Sequence, residues 1–129
     1  MTAKKSTKKP TDKELQILQV VWEKGPVSVK DVHEQLGGEE KNGYTTILKL
    51  MQIMYEKGIV TRQKSGKLHL YVAANSQENT KQQIVDKIIN TVFKGSAAQL
   101  VMSALGNKNA SREELQEIKK YLRNLEDNL

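Results

Sequence analysis

Cysteine is absent from all 129 residues, which removes disulfides, thiol catalysis and thiolate metal sites together. The two histidines, His33 and His69, lie far apart in sequence, whereas a zinc site needs three or four ligands. His33 falls on the polar side of its expected helix and is read as a surface residue. No apolar run approaches the roughly 20 residues that span a bilayer, and the N-terminus lacks the apolar segment of a secretory signal. These absences predict a cytoplasmic chain with no direct membrane insertion. A nucleophile–base–orienter set, a glycine-rich phosphate loop and metal-ligand spacing are missing too, which argues against an enzyme and implies no cofactor. Hydrophobic residues make up 37%, below the globular average. A chain of this length suits one compact domain plus an appendage, or two very small domains. Such a domain often borrows buried surface from a partner subunit.

What is present is positive charge, unevenly spread. The net charge is +6, with 13 Lys+Arg against 8 Asp+Glu in residues 1–75 and 8 against 7 in residues 76–129. A basic half joined to a nearly neutral half suggests a polyanion-binding module attached to something else. A merely solvated basic surface is the plainer alternative. Residues 1–10 carry Lys4, Lys5, Lys8 and Lys9 without apolar periodicity and are expected to form a disordered basic arm. That arm either lies along phosphates or serves as a soluble tail.

Thr11-Asp-Lys-Glu14 fits a capping box and opens a helix with Leu15, Leu18, Val21 and Trp22 as its buried stripe. Gly25-Pro26 stops it, and Pro26-Val27 reads as extended, pairing as a minimal strand. Ser28, with Asp31 as box partner, caps a helix over 29–36 whose inward residues are Val29, Val32 and Leu36. A third helix over 44–58, capped by either Asn42 or Thr45, lines one face with Ile47, Leu50, Met51 and Met54. Thr45, Lys49, Gln52 and Glu56 sit around the rest, and Gly58 closes it. Hydroxyl, amide and ammonium groups are those that meet phosphates and base edges in a DNA major groove. A solvated polar face gives the same pattern. Runs 59–64 and 67–72 flank Ser65-Gly66, a hairpin signal. Alternation assigns Leu68, Leu70 and Val72 to an inner face and Lys67, His69 and Tyr71 to an outer one.

Three short helices followed by a basic hairpin is the winged helix-turn-helix arrangement, here over 11–75. It predicts DNA contacts from Tyr44, Thr45, Thr46, Lys49 and Gln52 on the third helix, Thr46 being equally suited to packing or capping. Arg62, Lys64 and Lys67 are expected to clamp the backbone from the wing. From Ser76 three more helices follow: one with Ile84, Ile88, Ile89, Val92 and Phe93, one capped by Ser96, and one headed by the box Ser111-Arg-Glu-Glu114. About fifty residues bury too little surface for an independent fold. Residues 76–129 are therefore expected to be a helical dimerisation region with Leu100, Val101, Leu115, Ile118 and Leu122 at the interface; folding back on the first domain is the alternative. The expected fold class is mostly α with a small β-hairpin wing. Two rivals to a sequence-reading DNA binder are a winged-helix protein-interaction adaptor and a non-specific DNA binder.

Several pieces together resemble the penicillinase-repressor family of bacterial transcription regulators (BlaI/MecI type, with the copper-responsive CopY type as a branch). They are Pro10-Thr-Asp-Lys-Glu-Leu15 leading to Val21-Trp22, then Gly25-Pro26-Val27, then Tyr44-Thr-Thr-Ile47 through Glu56-Lys-Gly58. The Tyr71-containing wing and Phe93-Lys-Gly-Ser96 with Leu100-Val101 complete the set. The resemblance implies a homodimer that binds an inverted-repeat operator in double-stranded DNA and blocks transcription. It also implies, for antibiotic-responsive members, a membrane metalloprotease sensor whose signal leads to cleavage in the dimerisation helices. Ser103 and Ala104 stand where staphylococcal-type relatives have a cleaved Asn–Phe bond, and the cysteine cluster of copper-responsive members is absent. Leu48 stands where β-lactam-linked members often carry Arg, so a different operator is expected, since a bidentate guanine contact is worth about 1–3 kcal/mol of discrimination.

Overall fold

The structure is a computed structural model and describes residues 9–107 and 110–129. The basic arm expected at residues 1–10 lies, up to residue 8, outside the described residues.

Helix α1, Asp12–Lys24, starts where Thr11 accepts the Glu14 N–H and Glu14 accepts the Thr11 N–H, the reciprocal box read from sequence. It ends at Gly25, which donates its N–H to the Val21 carbonyl at 2.9 Å and then turns extended, at ψ 153°, into Pro26. A Cβ at Gly25 would stand 2.4 Å from that oxygen, so no larger residue fits. The buried stripe is Ile17, Leu18, Val20 and Val21. Leu15 and Trp22, expected inside it, pack at the rim instead, and the Trp22 indole donates to the Asn75 carbonyl at 3.0 Å. Val27 then forms a single antiparallel bridge with Tyr71.

Helix α2, Val29–Gln35, begins on a second capping box, Ser28 with Asp31. A short 3-10 turn, Gly38–Glu40, leads to helix α3, Tyr44–Glu56. Neither Asn42 nor Thr45 caps α3. Gly43 is the N-cap and supplies no side chain. Its place is taken by Glu39, which accepts the Tyr44 N–H at 3.2 Å. Asn42 turns backwards, donating its amide to the Leu36 carbonyl at the end of α2. At the other end Gly58, at φ 80°, donates to Tyr55 O while Ile59 donates to Met54 O. These two bonds form the left-handed cap expected of glycine there.

Strands β1, Val60–Ser65, and β2, Leu68–Ala73, pair antiparallel with Arg62 opposite Tyr71 and Lys64 opposite His69. The alternation expected for β2 is reversed where it meets the core. Tyr71 is 1% exposed, whereas Leu68 is 57% exposed. Tyr71 exchanges backbone hydrogen bonds with Val27 in both directions, at 3.1 and 2.7 Å. This bridge turns the Tyr71 face inward, while Leu68, at the hairpin tip, stays exposed. The core joins Ile17 and Leu18 of α1, Val32 of α2, Ile47, Met51 and Met54 of α3, and Val60 and Tyr71 of the hairpin.

Helix α4, Gln77–Thr91, opens where Ser76 accepts the Asn79 N–H. Residues to Ile84 and residues from Val85 fall into two compact units, the division lying inside α4. In the second unit, Lys94 and Gly95 take left-handed backbone at φ 52° and 87° and end α4. Ser96 caps helix α5, Ala97–Gly106, and a third capping box, Ser111 with Glu114, heads helix α6, Arg112–Asp127. No described residue from 85 onward is buried. None of the described helices is long and apolar enough to cross a membrane.

Candidate nucleic-acid interface

Successive side chains on an α-helix are 100° apart, so residues 45, 49, 52 and 56 stack along one line. On α3 these are Thr45, Lys49, Gln52 and Glu56, all exposed. Ile47, Met51 and Met54 point the opposite way into the core. Tyr44 and Thr46 flank the exposed line and are exposed themselves. All five expected α3 contact residues are therefore exposed, with Thr45, Lys49 and Gln52 on one line and Tyr44 and Thr46 to either side of it. Glu56 adds a carboxylate at the far end of the same line, which restricts favourable phosphate contact to the first two or three turns. Leu48 is partly buried against the core.

The N-terminal end of this face is held by a cluster that sequence reasoning missed. His33, read as a surface residue, is 8% exposed. Its Nε2 donates to the Asn42 carbonyl at 2.8 Å and lies 3.5 Å from Glu39 Oε1. The Tyr44 ring stands edge-on to the imidazole, with centroids 5.7 Å apart. His33 is inward because the turn between α2 and α3 closes over it, and no helical periodicity signals that. The C-terminal end of α3 is fixed by Lys57, whose ammonium reaches both Glu14 oxygens at 2.9 and 3.0 Å. Glu14 is 1% exposed, so one carboxylate both caps α1 and anchors the C-terminal end of α3 to it.

The three wing cations separate into two kinds. Lys64 and Lys67 are exposed near the hairpin tip and take part in no ion pair among the described residues. Arg62 is engaged: its guanidinium carbon sits 4.0 Å from the centroid of the Tyr55 ring on α3. The neighbouring Tyr71 hydroxyl raises its pKa above the ordinary arginine value, and an arginine is effectively always cationic. Leu100 and Ile118 are partly exposed, and Val101, Leu115 and Leu122 more so. Among the described residues no three His, Asp or Glu side chains group to hold a metal ion.

Set beside known proteins, residues 10–124 match the penicillinase repressor family model. The methicillin resistance regulatory protein MecI of Staphylococcus aureus (strain N315) is 25% identical over 109 residues, covering 84% of this chain and 89% of the relative. The same-named protein of Mammaliicoccus sciuri gives the same identity and coverage. The penicillinase repressor of Staphylococcus aureus is 21% identical over 112 residues, covering 87% and 89%.

Proposed function

The chain belongs to the penicillinase repressor family, a family of transcriptional repressors and not of enzymes, and from that premise we propose that it acts as a homodimer on an inverted-repeat DNA operator. The observation that carries this reading is the two-sided α3, with Thr45, Lys49 and Gln52 exposed opposite Ile47, Met51 and Met54. Laid in a major groove, such a helix offers a hydroxyl, an ammonium and an amide to phosphates and base edges. Tyr44, Thr45 and Thr46 occupy its first turn, where the positive end of the helix dipole favours phosphate. Lys64 and Lys67 meet the neighbouring backbone from the wing.

Dimerisation uses Leu100, Val101, Leu115, Ile118 and Leu122 against the same residues of a second copy. Two linked readers engage two half-sites, so the second contact benefits from effective concentration. The controlled genes are resistance genes of the kind the relatives' names indicate. Release follows a signal from a membrane metalloprotease sensor system, with no cleavage assigned to Ser103–Ala104 inside α5. Fluorescence anisotropy on DNA upstream of the protein's own gene, with excess random duplex at near-physiological salt, tests the reading. Saturable, competitor-resistant binding with two protomers per site is expected. Binding erased by random duplex makes the protein a non-specific binder; none at low salt overturns DNA reading and leaves an adaptor.

A further inference from the structure

Arg62 lies directly opposite Tyr71 in the hairpin register. Directly opposed residues of an antiparallel pair project from the same face, and here that face turns toward α3. Tyr71 is sealed in the core and tied to Val27 by two backbone bonds, so it moves with the body of the domain. Tyr55 stands in the last turn of α3, with the Arg62 guanidinium over its ring. One planar cation therefore lies over a ring of the helix, from a strand position that faces Tyr71 of the partner strand. Between α3 and β1 the chain has only Lys57, Gly58 and Ile59, and a two-stranded hairpin alone is marginal. The inclination of the wing to α3 thus depends on what packs at this corner. Guanidinium stacks flat on an aromatic ring, whereas ammonium is a compact point charge. Among the described residues Lys64 and Lys67 have no such partner, and both are exposed to meet phosphate.

We infer that Arg62 is a positioning residue for DNA reading: stacked on Tyr55 beside Tyr71, it fixes the angle between wing and α3. It thereby sets the distance between the groove-facing residues of α3 and the two tip lysines. This inference rests on the DNA-reading function proposed above. It separates the wing's basic residues by task, with Arg62 acting inside the protein and the lysines acting on the ligand.

The test uses the full chain and a duplex that the wild type enriches from a randomised pool, with an unselected random duplex beside it. Anisotropy titrations over a salt series give affinity and the slope of log affinity against log salt. Arg62→Lys keeps the charge and loses the flat stack, so affinity for the selected duplex falls about five- to tenfold at unchanged slope. Binding to random duplex stays near wild type. Tyr55→Leu reproduces the loss, the double variant loses no more than either alone, and Tyr55→Phe behaves as wild type. If Arg62→Lys binds normally, Tyr55→Leu is neutral and Arg62→Gln lowers the slope by about one unit, Arg62 is a phosphate contact and the inference is overturned. Equal losses on both duplexes together with a lowered melting temperature also overturn it, reducing the stack to a stability contact. A wild type that retains no duplex at low salt overturns the DNA-reading proposal itself, and the inference with it.

Discussion

Ile17, Val32, Ile47, Met51 and Met54 in the first unit are sealed from solvent, while Val101, Leu115, Leu122 and Leu125 in the second remain 38–48% exposed. The local signals in the two units are of equal quality. Ser111 and Glu114 cap α6 by the same reciprocal bonds with which Thr11 and Glu14 cap α1. The difference shows that forming a helix and burying its stripe are separate achievements. Capping and periodicity act within a few residues and succeed in both units. Burial needs a second surface: the first unit makes one from α1, α2, α3 and the hairpin. The second unit of about 45 residues is too small to do so from its own helices, and for this reason a second copy is proposed as its partner surface.

The largest expected effect attacks that assignment. Leu122→Glu places a charge in the proposed interface and is expected to give monomers by sedimentation. Operator affinity then falls on the order of 10²–10⁴-fold, as linkage of the half-sites is lost; a persisting dimer would break the contrast between the units. Next, Lys57→Met leaves the buried Glu14 carboxylate without its cation. Urea unfolding is expected to report a loss of about 3–5 kcal/mol, and adding Glu14→Gln should recover most of it. An unchanged midpoint for the single variant would show that the pair is not an anchor.

Ile47→Ala empties a fully buried site in the first unit, at a cost of roughly 2–5 kcal/mol in the same assay. In the Leu122→Glu monomer, by contrast, Leu125→Ala is expected to change stability by no more than about 0.5 kcal/mol, because the residue is already about half exposed. Equal costs would mean that the second unit has a core of its own. The smallest effect concerns the left-handed Lys94. Lys94→Gly removes the clash between Cβ and carbonyl in that conformation and is expected to stabilise the second unit by less than about 1 kcal/mol. A melting temperature that falls instead would place a needed side-chain contact at position 94.

Much of the architecture was legible because it is local. The boxes at Thr11, Ser28 and Ser111, the cap at Ser96, the stop at Gly25-Pro26 and the left-handed Gly58 each follow from chemistry within four residues. The features that sequence missed are set by partners far along the chain. Alternation in β2 gave two faces, but which one turns inward was decided by the bridge to Val27, 44 positions upstream of Tyr71. Glu14 was recognisable as a cap, whereas Lys57 carries no mark that directs it to Glu14. His33 looked polar on its helix and is covered by the following turn. On the candidate interface, the exposure of Thr45, Lys49 and Gln52 was readable from period alone. The engagement of Arg62 was not, because its partner Tyr55 lies on another element.

Trp22 is the only tryptophan in the chain, and its indole N–H is bonded to the Asn75 carbonyl in the link that leaves the wing. Tryptophan emission, excited selectively over the four tyrosines, therefore originates wholly in the first unit, from a ring whose surroundings and solvent contact change when the wing base detaches from α1. Circular dichroism, in contrast, sums all the helices. Followed together through one denaturation, the two signals resolve the winged domain from the C-terminal helices without any label, and parting of their midpoints gives the order in which the two regions come undone.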